Sequence, residues 1–470
     1  MPAISALSAN DLRKAYARGD LSPPEVAEDA LKRARACEPA VNAFVLFDEE
    51  GALKAATASL KRWRKGKALG QLDGVPVTIK DNLNMIGLPC RRGSAQTSDA
   101  ACTEDAPAVA RMKEAGAVII GKTTMPEFGW KGAADSPLTG ATRNPWDIST
   151  GTGGSSSGAA AAAALNLGCI HVGTDAAGSV RIPAAFTGVF SFMASYGRVP
   201  AHPISTMGFL AHVGPLARTV RDAALAMNAL ARPDLRDMTA MVTAPPDFTK
   251  ALNKGVKGLR IGWSSKLGQN IEVDPEIARL TAKAAKIFGE LGADVEEVDP
   301  GFADPIDLLR TLWSAGAALA LAPFDAAQRK KMDPRLVAMA VAGEGVSGAA
   351  YVDALLYRRN ALAQVMTKFH AKYNLLLTPT LPLPAFEAGR DTPAHGRYGD
   401  DWTAWTPFTY PFNITGQPAA SVPCGLTKAG LPAGLQIVGA FGDDLTVLRA
   451  ARAYERACPF ATISAPRGKA

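Results

Sequence analysis

Apolar residues recur every three or four positions through the first part of the chain, in SANDLRKAYARGD (8–20), SPPEVAEDALKRARACEPAVNAF (22–44) and ALKAATASLKRWRKGKALG (52–70), and this period predicts helices. Ser22 before Pro23 and Pro24 is a start signal for the second of them. The pattern then changes. VPVTIK (75–80) is a short β-like run ending on a lysine beside Asp81 and Asn82, a pair suited to a turn. DAPAVARMKEAGAVIIGKT (105–123) reads as a helix followed by a buried strand, and GCIHVGTD (168–175) as another buried strand. Beyond residue 180 the regularity loosens: TVRDAALAMNAL (219–230) is helical and residues 233–258 read as a surface excursion. LRIGWS, DPEIARLTAKAAKIFGELG and ADVEEVD (259–299) form a further strand, helix and strand. Two long helices follow (304–325 and 351–373), then the strand NLLLTPT (374–380) and a closing strand, loop and helix over 434–458.

This alternation predicts an α/β fold with a large central mixed β-sheet flanked by helices. No fixed-period repeat and no Ser/Gly/Pro-rich linker divides the chain, so the expected organisation is a single domain over 1–470. Within it lie a helical region (1–70), the motif-rich core (71–225), a less characteristic substrate-side region (226–410) and a C-terminal completion of the core (411–460).

Composition narrows the function classes. A chain of 470 residues has ample surface to bury. No uncharged apolar run is long enough to span a bilayer, and the first residues lack the charged-then-apolar order of a secretory signal, so no membrane role and a cytoplasmic location are expected. Six scattered cysteines without a CxxC pair argue against a metal cage or a disulfide framework. The net charge of +7 is small for this length, and the basic runs KRWRKGKALG and RKKMD read as solvated surface, so no nucleic-acid partner is expected.

The unusual stretch is GTGGSSSG (151–158), placed directly before six alanines and followed by an isolated Ser179 in TDAAGSVRIP. It lacks the lysine of a phosphate loop and the register of a dinucleotide loop. It can cap a closely packed helix, with serines satisfying free N–H groups. It can also carry catalysis. A serine hydroxyl needs a partner to take its proton, and none of the five histidines (His171, His202, His212, His370, His395) lies in a nucleophile-elbow motif. A lysine can serve if it is held neutral by burial. Lys80, at the end of an apolar strand, stands where α/β folds place their chemistry.

These residues resemble the amidase signature family of serine hydrolases. The matching stretches are LDGVPVTIKDNLNMIGLPCRRGS, GKTTMPEFGW, SPLTGATRNPWD, GGSSSGAAAAAAL and VGTDAAGSVRIPAAFTGVF, with FTYPFNITGQPAASVPCG and GLPAGLQIVG late in the chain. They extend over roughly residues 5–460 in matching order and spacing. The resemblance implies a Ser-cisSer-Lys triad, with Lys80 as base, Ser155 as the bridging serine after a cis peptide, and Ser179 as nucleophile. It further implies an oxyanion hole from the backbone N–H groups of Ala176, Ala177, Gly178 and Ser179. Gly153 and Gly154 give the bridging segment conformational latitude. Thr174, Asp175 and Arg181 are expected to support the turn, with Asp175 and Arg181 paired. Ser156 and Ser157 are expected as helix-cap and network residues. Asp81, adjacent to Lys80, must point away or be neutralised, since a close carboxylate favours the protonated amine.

The family usually writes a glycine pair before the nucleophile, whereas this chain has DAAGS. A methyl at Ala177 is therefore expected to narrow the acyl side of the pocket. Met125, Phe128 and Trp130 are candidate pocket residues, and Phe186, Phe190, Trp402, Trp405 and Tyr410 are further aromatic candidates near family-like segments. The implied activity is hydrolysis of an uncharged, hydrophobic or aryl carboxamide through an acyl-enzyme, without metal or cofactor. Its partner is a small-molecule amide, and a homodimer is left open. The alternatives are a carbamate, hydrazide or ester substrate, or the glutaminase component of a tRNA-dependent amidotransferase, from whose MDEFxMG-like form TTMPEFGWKG departs.

Overall fold

The computed structural model describes residues 3–468. Its centre is an 11-stranded sheet. In chain order the strands are β1 (Phe44–Phe47), β2 (Pro76–Lys80), β3 (Val118–Thr123), β4 (Ile170–Asp175), β5 (Phe190–Met193), β6 (His212–Ala217), β7 (Arg260–Trp263), β8 (Asp294–Glu297), β9 (Leu375–Pro379), β10 (Ala419–Leu426) and β11 (Pro432–Gly439). Their spatial order is β1-β3-β2-β4-β6-β5-β10-β11-β9-β7-β8. The run β3-β2-β4 is parallel, the centre from β4 to β9 is antiparallel, and β9-β7-β8 is parallel again. The α/β fold with a mixed sheet flanked by helices is therefore as the sequence predicts.

Alternation along the strands feeds two cores, one on each face. Leu375 and Leu377 join one apolar cluster and Leu376 the other, and Ile119 is separated in the same way from Val118 and Ile120. The first cluster is covered by helices that include Val220–Leu230 and Asp444–Ala457. The second contains Ser157–Ala164 and the face of Ile306–Leu321. Start signals operate locally as expected: Ser22 accepts from the Glu25 N–H while the Glu25 carboxylate accepts from the Ser22 N–H at 2.7 Å, closing a capping box.

Three departures from the pattern have physical causes. The helical reading through Phe44 stops at Val41, where Asn42 turns left-handed and the chain enters edge strand β1. Strands β5, β6 and β10 are not read from the sequence; in β6, Gly214 and Pro215 dilute the apolar signal. The glycine is required there, since a Cβ on Gly214 would lie 2.1 Å from the Phe192 carbonyl oxygen. The helix read over 351–373 is interrupted by a π-turn at Asp353–Arg358.

The alanine helix Ser157–Ala164 shows why small residues follow the serines. Every residue in it is buried, as expected for a helix apolar all round. Its first turn presses on the neighbouring backbone: a Cβ on Gly158 would sit 2.0 Å from the Ala43 carbonyl oxygen. Helix propensity alone favours alanine over glycine by about 1 kcal/mol, and the clash opposes it. Gly158→Ala is expected to lower stability by up to roughly 2 kcal/mol net, since a backbone clash this close falls at the upper end of the about 1–3 kcal/mol that overpacking costs. A thermal or urea unfolding curve with an unchanged or raised midpoint would refute this account of the packing.

Candidate active site

Parallel pairing of β2 with β4 brings the two halves of the site together. Val77 lies opposite Ile170 and Ile79 opposite Val172, so Lys80 at the end of β2 comes beside Thr174 at the end of β4. The Lys80 amine is fully buried. It contacts Ser155 Oγ at 2.7 Å, Ser156 Oγ at 3.0 Å, Thr174 Oγ1 at 3.0 Å and the Thr174 carbonyl at 3.5 Å. Burial pushes its pKa down to about 7, against an opposing pull from the more distant charge of Asp175.

Asp81 does not defeat this. Lys122 stands opposite Ile79 in the register, one residue out of step with Lys80, and the buried Asp81 carboxylate pairs with Lys122 at 2.8 Å. The acid next to Lys80 in sequence is thus matched by a different lysine.

The hydroxyls around Lys80 have defined directions. Ser156 Oγ donates to the Thr174 carbonyl at 3.1 Å, and Thr174 Oγ1 accepts from Asn82 Nδ2 at 2.9 Å. Two amine N–H groups of a neutral Lys80 can therefore point to Ser156 and Thr174, which leaves its lone pair for Ser155, the shortest contact. Ser156 occupies the N-cap position but makes no capping bond, and Ser157 Oγ is buried without a partner. This corrects the helix-cap reading of both serines.

The peptide between Gly154 and Ser155 is cis. A Cβ on Gly154 would lie 2.1 Å from the Ala133 carbonyl, and one on Gly153, at φ +69°, would strike Phe186 and Ile182. A side chain at Gly154 is blocked by backbone, and one at Gly153 would be both strained and crowded. The Ser156 N–H donates to the Ser179 carbonyl at 3.0 Å, tying the serine-rich segment to the second serine turn. Ser155 and Ser179 line one cavity of about 270 Å³. Their hydroxyls make no direct hydrogen bond to each other.

Asp175 and Arg181 brace that turn. Arg181 Nε and Nη2 donate to the two Asp175 oxygens at 3.0 and 3.1 Å, and both side chains are fully buried. Gly178 N–H (2.6 Å), Val180 N–H (3.1 Å) and Asn413 Nδ2 (2.8 Å) also donate to the same carboxylate. Burial by itself would raise the pKa of Asp175, but Arg181 and Asn413 outweigh it and hold the carboxyl below its ordinary range. Arg181 reaches on to the Thr409 carbonyl (2.9 Å) and Gln436 Oε1 (2.7 Å), anchoring the turn to the C-terminal part of the chain.

Several expectations need correction. The Gly178 N–H is given to Asp175, so the free backbone donors of the turn are those of Ala176, Ala177 and Ser179. Ala177 does not narrow the pocket: its methyl is in the core at 1% exposure, and Ala176 is the alanine that lines the cavity. Phe128 lines the cavity, but Met125 is buried outside it, and Trp130 is turned away with its indole N–H donating to Asp333 at 3.2 Å. Phe186, Phe190, Trp402, Trp405 and Tyr410 are buried outside this cavity. Sequence reading missed residues that do line it: Arg92, although it lies in the first family-like stretch, and His202, Met207, Trp313 and Leu319, which come from segments with no motif. It also missed Thr409, Asn413 and Gln436, although all three lie in the late stretches that carry the family pattern. His212 also lines the cavity, with burial pushing its pKa down to about 4. His171 is buried beside Thr78 at 2.9 Å.

Comparison with known proteins fits this geometry. The family described as Amidase matches residues 25–448. The chain is 36% identical over 461 residues to an acylamidase of Rhodococcus erythropolis, covering 97% of this chain and 96% of that protein. It is 34% identical over 490 residues to one subunit of the glutamyl-tRNA(Gln) amidotransferase of Myxococcus xanthus, covering 98% and 99%. The crystal structure of a bacterial aryl acylamidase of the amidase signature family superimposes with a TM-score of 0.90 at 33% identity, covering 96% of each chain. The chain belongs to the amidase signature family of serine hydrolases. Its activity is that of the class, hydrolysis of C–N bonds in amide substrates.

Removing the charge of Asp175 tests the brace. Asp175→Asn leaves a fully buried guanidinium without its counter-charge and is expected to destabilise the fold by about 3–5 kcal/mol. Chemical denaturation showing a loss under about 1 kcal/mol would mean the pair is not the anchor of this turn.

Proposed function

We propose that this amidase acts through Lys80, Ser155 and Ser179 as a proton relay and acyl-enzyme nucleophile. The observation that carries the reading is the buried Lys80 amine, without a carboxylate in contact and 2.7 Å from Ser155 Oγ. Neutral Lys80 takes the proton of Ser155, which takes the proton of Ser179 as its oxygen attacks the amide carbon. The Ser155–Ser179 hydrogen bond forms in the substrate complex, where catalytic contacts tighten. The developing oxyanion is met by the N–H groups of Ala176, Ala177 and Ser179. The C–N bond then breaks as the relay returns the proton to the leaving nitrogen, and water hydrolyses the ester on Ser179.

The cavity walls support a carboxamide flanked by aryl or alkyl groups. Leu83, Phe128, Met207, Trp313 and Leu319 supply apolar surface around the serines. Similarity to an acylamidase and an aryl acylamidase points the same way. Similarity to the amidotransferase component over the whole chain keeps a glutaminase reading in view. Hydrolysis of simple anilides by the purified chain alone, without glutamine-dependent ammonia transfer, separates the two.

A serine-directed covalent probe is expected to label Ser179, read by intact mass and peptide mapping. Ser179→Ala should abolish labelling and lower kcat by at least about 10³-fold. Lys80→Ala and Ser155→Ala should each cost kcat by a comparable order; full-speed turnover in any of the three would overturn the relay.

The pH profile follows from the depressed pKa. The base works only when deprotonated, so kcat/KM should rise with unit slope up to about pH 7 and level off above it. An acid limb centred near the ordinary lysine range would exclude Lys80 as the base.

A further inference from the structure

Two residues with left-handed backbone meet at the catalytic cavity. Arg92 has φ 53° and Phe128 φ 51°. The Phe128 N–H donates to the Arg92 carbonyl at 2.7 Å, and both residues line the cavity of Ser155 and Ser179. A side chain in this backbone region persists only where its surroundings over-determine it, and such positions gather at ligand clamps. The surroundings here are specific. Gly93 leaves no room for a Cβ, which would lie 2.5 Å from the Met125 carbonyl. Ser94 Oγ donates to Glu127 Oε1 at 2.6 Å, and Glu127 Oε2 accepts from the Asp333 N–H at 2.6 Å. Two loops are thereby locked with Arg92 and Phe128 side by side.

The charge of Arg92 is unmatched. Its neighbour Arg91 pairs with Asp99, and Lys122 pairs with Asp81. Among the described residues Arg92 joins no ion pair, and its guanidinium makes no hydrogen bond to an oxygen. Its side chain hydrogen-bonds the Cys90 thiol, which supplies no counter-charge because burial raises its pKa. The other ionisable groups of the cavity are accounted for: Asp175 is paired with Arg181, His202 faces Glu104 at 3.2 Å, and His212 has its Nδ1 2.9 Å from the Leu210 carbonyl.

We propose that Arg92 is a substrate-recognition residue, and that the amides preferred here carry a carboxylate away from the scissile bond, joined to an apolar body that rests on Phe128. The proposal rests on the amidase reading above and narrows it. A guanidinium without a counter-charge, in a cavity that also offers the apolar surface of Phe128, Met207 and Leu319, is matched by a carboxylate in bidentate contact. Glutamine fits less well, because its ammonium requires an acid and the carboxylate lining the cavity, Asp175, is saturated by Arg181, Asn413 and two backbone N–H groups.

The test uses the full chain and two substrate pairs. Para-acetamidobenzoate against its methyl ester places the carboxylate on the amine side; N-phenylsuccinamate against N-phenylpentanamide places it on the acyl side. Equilibrium binding of benzoate and benzamide to the Ser179→Ala protein is measured in parallel. The carboxylate member of one pair is expected to be favoured roughly tenfold or more in kcat/KM, and benzoate to bind roughly tenfold more tightly than benzamide. Arg92→Gln should collapse both ratios towards unity, and Arg92→Lys, which keeps the charge without the planar fork, should leave an intermediate ratio. Ratios near unity in the unaltered protein, or ratios that survive Arg92→Gln, overturn the proposal. The binding ratio reports on Arg92 independently of turnover, so its failure is distinct from failure of the serine relay, which is read by turnover in Ser179→Ala.

Discussion

An amine taken out of water with no carboxylate in contact is the constraint around which this site is built. Lys80 is fully buried among hydroxyl and carbonyl oxygens, and its ammonium form is disfavoured because these neutral acceptors do not make up for the water lost on burial. The condition is easily spoiled. Asp81 follows it directly, and Asp175 ends the adjoining strand. The first carboxylate is drawn to Lys122 and the second to Arg181, so each charge near the amine is spent on another partner.

The second of those pairs also shapes the backbone. Five donors converge on the Asp175 carboxylate, two of them N–H groups of the turn that carries Ser179. One consequence is that Gly178 is removed from the set of free donors while Ala176, Ala177 and Ser179 keep theirs. Arg181 then fastens the turn to residues more than two hundred positions later in the chain. Electrostatics and chain geometry are therefore one arrangement: the bonds that quench Asp175 also aim the N–H groups around Ser179.

Close packing imposes the remaining limits. Gly154 and Gly158 each meet a carbonyl oxygen where a Cβ would go, and the alanines after them let a helix lie against the sheet without side chains between. The glycines and alanines that look like low-complexity sequence are steric requirements of this contact. The same economy brings the Arg92 and Phe128 loops together through Gly93 and Ser94.

Helices and buried strands were legible where a helical period or a short apolar run dominates, as in Pro23–Val41 and Leu375–Pro379, because such a pattern is a local property of the chain. Lys80, Ser155 and Ser179 could be singled out from motif order and residue chemistry, and Asp175 and Arg181 from their places beside the turn. The cavity wall could not. Ala176 and Ala177 are adjacent and identical, yet one faces the cavity and the other the core, and Trp130 is turned from the site by Asp333, some two hundred residues away. Sequence by itself determined the α/β architecture and the chemical groups available for the reaction. Only the tertiary structure decided which lysine loses its counter-charge, which N–H groups stay free and which cation is left unpaired at the cavity, since each of these depends on partners that folding brings together from distant parts of the chain.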